Sequence, residues 1–134
     1  FKVDYTEVYT DDMIKKVKFT GFVPYEDLPK YYADADVVVV ASEIYESFSY
    51  TVGQAMACGK PVIASNIGGI PETLDSGRLG LLFEPGNIDS LFEELRDVYD
   101  NQVRDISKDA REYAVNNFSF EKLGAIYKDY YMCQ

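Results

Sequence analysis

The sequence predicts an α/β fold built on a doubly wound parallel sheet, and three observations carry that expectation. Val37-Val38-Val39-Val40 is a continuous β-branched run, the pattern of a strand buried on both faces. A second apolar run, Val62-Ile63-Ala64, opens after Lys60-Pro61. Between them, Tyr50 to Cys58 reads as a helix stopped by Gly59, so the two runs are joined by a helical crossover rather than a hairpin. Strands connected in that way lie parallel, and ligands of such sheets sit in the crevice at the carboxyl ends of the strands.

The remaining elements follow in chain order. Val17-Lys18-Phe19-Thr20-Gly21-Phe22 alternates around β-formers and ends at Val23-Pro24, which predicts a first short strand. Glu26 to Ala33 carries Leu28, Tyr31 and Tyr32 at helical spacing, with Pro29 tolerable in a first turn. Asp34-Ala35-Asp36 imitates a metal-binding DxD, but it precedes the buried run at a helix end and reads as the connection to the strand. Gly68-Gly69 is a turn, and Pro71 opens a short helix ending near Gly77. Leu79 to Phe83 is a further strand, closed by Pro85-Gly86. Asn87 or Asp89 caps a helix with Ile88, Leu91, Phe92, Leu95, Val98 and Tyr99 on one face. A polar helix is expected over 102–117. A last amphipathic helix over 119–133, capped by Ser119, presents Phe120, Leu123, Tyr127 and Tyr130.

Composition bounds the chemistry. At 134 residues, 47% apolar and 27% charged, the chain is one globular domain. With 13 basic against 23 acidic residues its net charge is −10, and a field of that sign repels nucleic acid and anionic membrane. There is no histidine, which removes histidine-based triads and histidine-ligated zinc. Cys58 and Cys133 form no metal spacing and suit free thiols in a reducing, cytoplasmic setting. The longest strongly apolar run, Val37 to Ala41, is far short of the ~20 residues of a membrane span. The chain opens on Phe1 with no leader pattern, and residues 1–134 are read as a single partial domain of a longer protein.

The candidate chemistry lies in Ala41 to Gly59, which follows the first buried run and leads into a helix. Successive N–H groups at that helix start form a cradle for a phosphate or polar sugar group. Glu46 sits in the loop, and Gln54 lies about two turns into the helix. Asn66-Ile67-Gly68-Gly69-Ile70-Pro71-Glu72 repeats the arrangement after the next strand, its paired glycines allowing close approach of a ligand. Glu72, in a first helical turn, suits the helix dipole as readily as it suits a ligand. Cys58, amid Ala55, Met56 and Ala57 at a helix end, reads as a small buried packing residue rather than a nucleophile. An anionic ligand of the nucleotide-sugar kind is expected. A dehydrogenase-type site is not, for want of a GxGxxG turn.

Several runs carry a family resemblance: Gly21 to Pro24, Tyr32 to Asp36, Glu46-Ser47-Phe48, Ala55 to Ser65 and Gly68 to Glu72. With Gly80 to Gly86 and Phe118 to Leu123, they are collinear over roughly residues 15 to 131. The chain resembles the C-terminal, donor-binding domain of GT-B glycosyltransferases of the retaining, glycogen-synthase-like group 1 family. The resemblance implies a Rossmann-like half of a GT-B fold lacking its first strand–helix units, since nothing in Phe1 to Lys16 matches them. It implies transfer of a sugar, of hexosyl type, from a UDP-, GDP- or ADP-sugar to an unknown acceptor, with no metal and no cofactor. Glu46 matches the first acid of the E-x7-E motif, which contacts the donor sugar, and is the implied catalytic residue. Ser47, Phe48 and Ser49 fall where backbone amides hold sugar and diphosphate. Gln54 falls where the second glutamate meets the ribose, Val23 where backbone meets the base, and Gly68 and Gly69 beside the ligand. The implied partners are the donor and an N-terminal acceptor domain of the same protein, through which alone any peripheral membrane association would arise. On its own the fragment is expected to be inactive.

Departures from the pattern are Gln54 for glutamate, Ser49 for glycine, Gly53 for an aliphatic residue and Ala41 for proline. They motivate the alternative expectation, a degenerate, non-catalytic Rossmann-like binding or interaction module.

Overall fold

A computed structural model of the chain describes residue 12 and residues 15–100 and 106–132. Cys133 and the expected start of a helix at Gln102 lie outside the described residues. A 3-10 turn over Tyr25–Asp27 leads into α1 (Leu28–Asp34), then β1 (Val38–Val40), α2 (Tyr50–Ala57) and β2 (Val62–Ser65). There follow α3 (Ile70–Thr73), β3 (Leu81–Phe83), α4 (Ile88–Tyr99), α5 (Ser107–Phe118) and α6 (Phe120–Met132). The strands form one parallel sheet in the order β1-β2-β3, with Val38 beside Val62, Ile63 beside Leu81 and Ser65 beside Phe83. Helical connections between successive parallel strands are what the sequence pattern predicts.

β2 is the central strand and all four of its residues are buried. Because side chains alternate along a strand, Val62 and Ala64 face one side, and there they join Val52, Ala55, Met56, Ile70, Leu74, Ala110 and Ala114 in the core. α5 reaches this core through two alanines, whose small side chains let it lie close to α2. Ile63 is buried on the opposite side, and α4 packs on β2 and β3. Polar side chains close the helix ends. Lys60 Nζ donates to the carbonyl of Ala33 at 2.7 Å, and Arg111 Nη1 donates to that of Ala57 at 2.6 Å. The Asn87 side chain accepts from the Ser90 amide and caps α4, which decides between the two expected caps.

Four expectations are corrected. The segment Val17 to Phe22 is not a strand, because a strand exists only by pairing and no described strand lies beside it. β1 is not buried on both faces: it is the edge of the described sheet, and Val39 is 39% exposed. On α4 only Leu91, Leu95 and Val98 of the predicted face are half-buried. Ile88, Phe92 and Tyr99 are exposed, since the apolar arc is wider than the surface β2 and β3 offer it. Cys58 is half-buried rather than enclosed, at the end of α2.

Candidate functional site

Three loops leave the carboxyl ends of the strands and converge. The loop 41–49 follows β1, 66–69 follows β2 and 84–87 follows β3. The amide of Asn66 donates to the carbonyl of Phe83 at 2.8 Å, and the Ser65 hydroxyl reaches the carbonyl of Val40 at 3.4 Å. The contact that matters most is between Gly68-Gly69 and Glu46-Ser47. The Gly69 amide donates to the Glu46 carbonyl at 2.8 Å. A Cβ on Gly69 would stand 2.1 Å from the Ser47 carbonyl oxygen, and one on Gly68 would stand 2.6 Å from that of Glu46. Gly68 also has φ +58°, in the left-handed region. The glycine pair thus lets two backbones touch, and the turn holds the Glu46 loop in place. Thr73 completes the clamp by donating its hydroxyl to the Gly69 carbonyl at 2.9 Å.

Glu46 is half-buried at this junction, and among the described residues its carboxylate has no hydrogen-bond or ion-pair partner. Ser47 beside it is exposed. Phe48 turns its ring away into an aromatic cluster, edge-on to Tyr50 and to Phe118 with ring centroids 5.4 and 5.1 Å apart. Gly53 is what admits that ring, because a Cβ there would meet Phe48 Cζ at 3.3 Å. Ser49, buried, precedes α2 with φ −90°, a conformation any residue adopts, and its side chain makes no capping bond. The first N–H groups of α2, at the end of the 41–49 loop, thus have no side-chain cap.

Gln54 and Val23 stand apart from this junction. Val23 is half-buried in the loop before Tyr25. Gln54 lines a cleft of about 180 Å³ with Tyr25, Leu28, Pro29, Tyr32, Ala57 and Cys58. Its Oε1 accepts a hydrogen bond from the Tyr32 hydroxyl at 3.0 Å. Burial, and secondarily the charge of Cys58, push the Tyr32 hydroxyl above the usual tyrosine range. Tyr32 is the residue that sequence reasoning missed. The available signal was the i, i+4 spacing of Leu28 and Tyr32, which puts both on the α1 face that lines the cleft. Asp34 ends α1 and Asp36 lies in the connection to β1, where the sequence reading put them.

The sequence profile described as Glycosyl transferases group 1 matches residues 7–117. The chain is 35% identical over 106 residues to the O-antigen chain mannosyltransferase B of Escherichia coli, covering 78% of this chain and 27% of that protein. Among solved structures it is similar to sucrose-phosphate synthase from Thermosynechococcus elongatus. That match has 33% identity and a TM-score of 0.77, over 92% of this chain and 32% of the other. It is also similar to Anabaena HepE in complex with UDP, with 29% identity and a TM-score of 0.81, over 92% and 34% of the two chains. The chain spans about a quarter of the length of the curated relatives it matches. The fold is the Rossmann-like C-terminal half of GT-B glycosyltransferases. With its profile match running through β1, β2, β3 and the loops that meet at Glu46, the chain belongs to the glycosyl transferases group 1 family.

Proposed function

We propose that this chain is the donor-binding domain of a retaining glycosyltransferase that transfers a hexosyl group from a UDP-, GDP- or ADP-sugar. The observation that carries the reading is the unpartnered, half-buried Glu46 carboxylate, held at the strands' carboxyl ends by the Gly68-Gly69 turn. The UDP complex of the HepE neighbour supports a nucleotide-linked donor. In this reading Glu46 contacts the donor sugar as positive charge develops on it. The amides of Ser47, Phe48 and Ser49 meet sugar and diphosphate, Val23 meets the base and Gln54 the ribose. Gly68 and Gly69 bring backbone close to the ligand while they fix Glu46. Preorganised N–H groups offset the charge of the leaving diphosphate, so the reading calls for no metal and no further cofactor. The acceptor is held by another domain of the complete protein, and the rate gain comes from positioning the two substrates. The isolated chain then binds donor without turning it over, in a cytoplasmic setting.

The test is Glu46→Gln in the complete protein. Turnover is expected to fall much further than donor affinity, because the contact strengthens in the transition state. Equal turnover of the two forms would remove Glu46 from that role. One observation favours a second reading, a non-catalytic module: the acceptor oxygen of Gln54 is already engaged by Tyr32. Such a module binds no nucleoside diphosphate.

A further inference from the structure

Gln54 stands where the family pattern has an acid, and its surroundings determine which half of its amide a ligand meets. α1 and α2 line the two sides of one cleft, where the half-buried Tyr32 places its hydroxyl 3.0 Å from Oε1 of the half-buried Gln54. A tyrosine hydroxyl has one proton to give, and a primary amide has one acceptor oxygen and two N–H donors. Once that oxygen accepts from Tyr32, the planar amide has its orientation fixed, and Nε2 with both protons is turned the other way. We infer that Tyr32 is a positioning residue for Gln54, so that residue 54 meets the donor nucleotide as a hydrogen-bond donor through Nε2. A glutamate at this position would meet it as an acceptor. The inference rests on the donor-site reading for its ligand, and on the Tyr32–Gln54 contact for its geometry. Its chemical consequence is specific: the ligand atom facing residue 54 is an oxygen with a free lone pair, as in a ribose hydroxyl. A tyrosine hydroxyl holds its proton in neutral solution, and burial pushes that of Tyr32 further up, so the proton is there to give.

Two measurements test this, one of them independent of any ligand. In the 15N-labelled chain, the side-chain NH2 resonances of Gln54 are assigned by their loss in Gln54→Ala. Tyr32→Phe removes one oxygen and keeps the ring, and it is expected to shift those resonances while the backbone amides of α1 and α2 hold their positions. Should Tyr32→Phe not fold, the same link is read from the other side as a shift of the Tyr32 Cζ resonance in Gln54→Ala. Unmoved resonances overturn the inference. The second measurement is UDP affinity across the cycle Tyr32→Phe, Gln54→Ala and both together. Tyr32→Phe is expected to weaken binding roughly fivefold, the size of one neutral hydrogen bond, and to have no further effect once Gln54 is alanine. Equal weakening in both backgrounds overturns the positioning role, since Tyr32 would then act independently of Gln54. If the unaltered chain binds no UDP, GDP or ADP, the donor-site reading fails and with it the part of the inference concerning a ligand. The amide resonances still decide whether Tyr32 orients Gln54.

Discussion

At the scale of single residues, the glycine pair and Glu46 form one device. The sequence pointed to Gly68-Gly69 as a place where a ligand comes close, and the structure adds a reason internal to the protein: the Glu46-Ser47 backbone occupies the space a side chain would need. Gly69→Ala is therefore expected to destabilise the chain by about 1–3 kcal/mol, the usual cost of forcing atoms into a packed site. Gly21→Ala is the control, because nothing lies within 4 Å of its would-be Cβ, so its alanine meets only the strain of φ +62°, which Gly69 at φ −86° does not have. Urea unfolding midpoints measure both, and a Gly69 variant no less stable than the Gly21 one would show that the two loops do not clamp. The place of Glu46, in the loop at the carboxyl end of β1, was legible because the valine run before it reads as a strand. Tyr32 was not. Its partner lies 22 residues away on another helix: the i, i+4 spacing with Leu28 sets which face of α1 carries Tyr32, but not the residue it meets across the cleft.

At the scale of elements, the end of α2, the start of α4 and the parallel run of β1, β2 and β3 were legible, whereas the end of α3, expected near Gly77, comes at Thr73, and the pairing of Val17 to Phe22 was not legible. α2 ends where Gly59, at φ +71°, lets the chain turn, and α4 begins at a capping asparagine; both are local signals that survive any tertiary context. Whether Val17 to Phe22 forms a strand depends instead on a neighbour to pair with, which its own residues do not encode. The exposure of Val39 is the same fact seen from β1. α4 supplies an element-scale prediction. Burial, and then Asp97 one turn on, push the Glu94 carboxyl above the usual glutamate range. A raised value means that the fold favours the protonated form. The contribution is held below the ordinary glutamate range and lost as pH rises through the raised value. Glu94→Gln is accordingly expected to stabilise the chain at about pH 7 by about 0.2–0.5 kcal/mol, the size of one like-charge helix pair largely screened by solvent. That gain is expected to vanish by about pH 3.5, where glutamate too is protonated. Denaturation midpoints at the two pH values check it, and a gain that persists in acid would contradict the assignment.

At the scale of the whole molecule, the α/β core sits on β2, and the last helix stands outside it. Ser119 caps α6 through the Lys122 amide as its sequence suggests, and every residue of α6 is exposed. Phe120, Leu123, Tyr127 and Tyr130 line up as the amphipathic pattern foretold, and Tyr127 and Tyr130 contact the ring of Tyr131 rather than the core. An apolar surface of that kind favours association. The chain is expected to form concentration-dependent oligomers in sedimentation, reduced by Leu123→Glu with Tyr127→Lys. A strictly monomeric species at high concentration would count against it. Among the described residues no helix is long and apolar enough to cross a membrane.

The central claim is that a nucleotide-linked sugar binds in the crevice where the Glu46 loop meets the Gly68-Gly69 turn. It is tested most directly by following the backbone amides of the labelled chain while UDP-, GDP- and ADP-sugars are added in turn. One of the three is expected to shift the amides of Ser47, Phe48, Ser49, Gly68 and Gly69 together, in a saturable manner, with a smaller response at Val23. Spectra that stay unchanged with all three, or saturable shifts confined to residues away from the carboxyl ends of the strands, would contradict it.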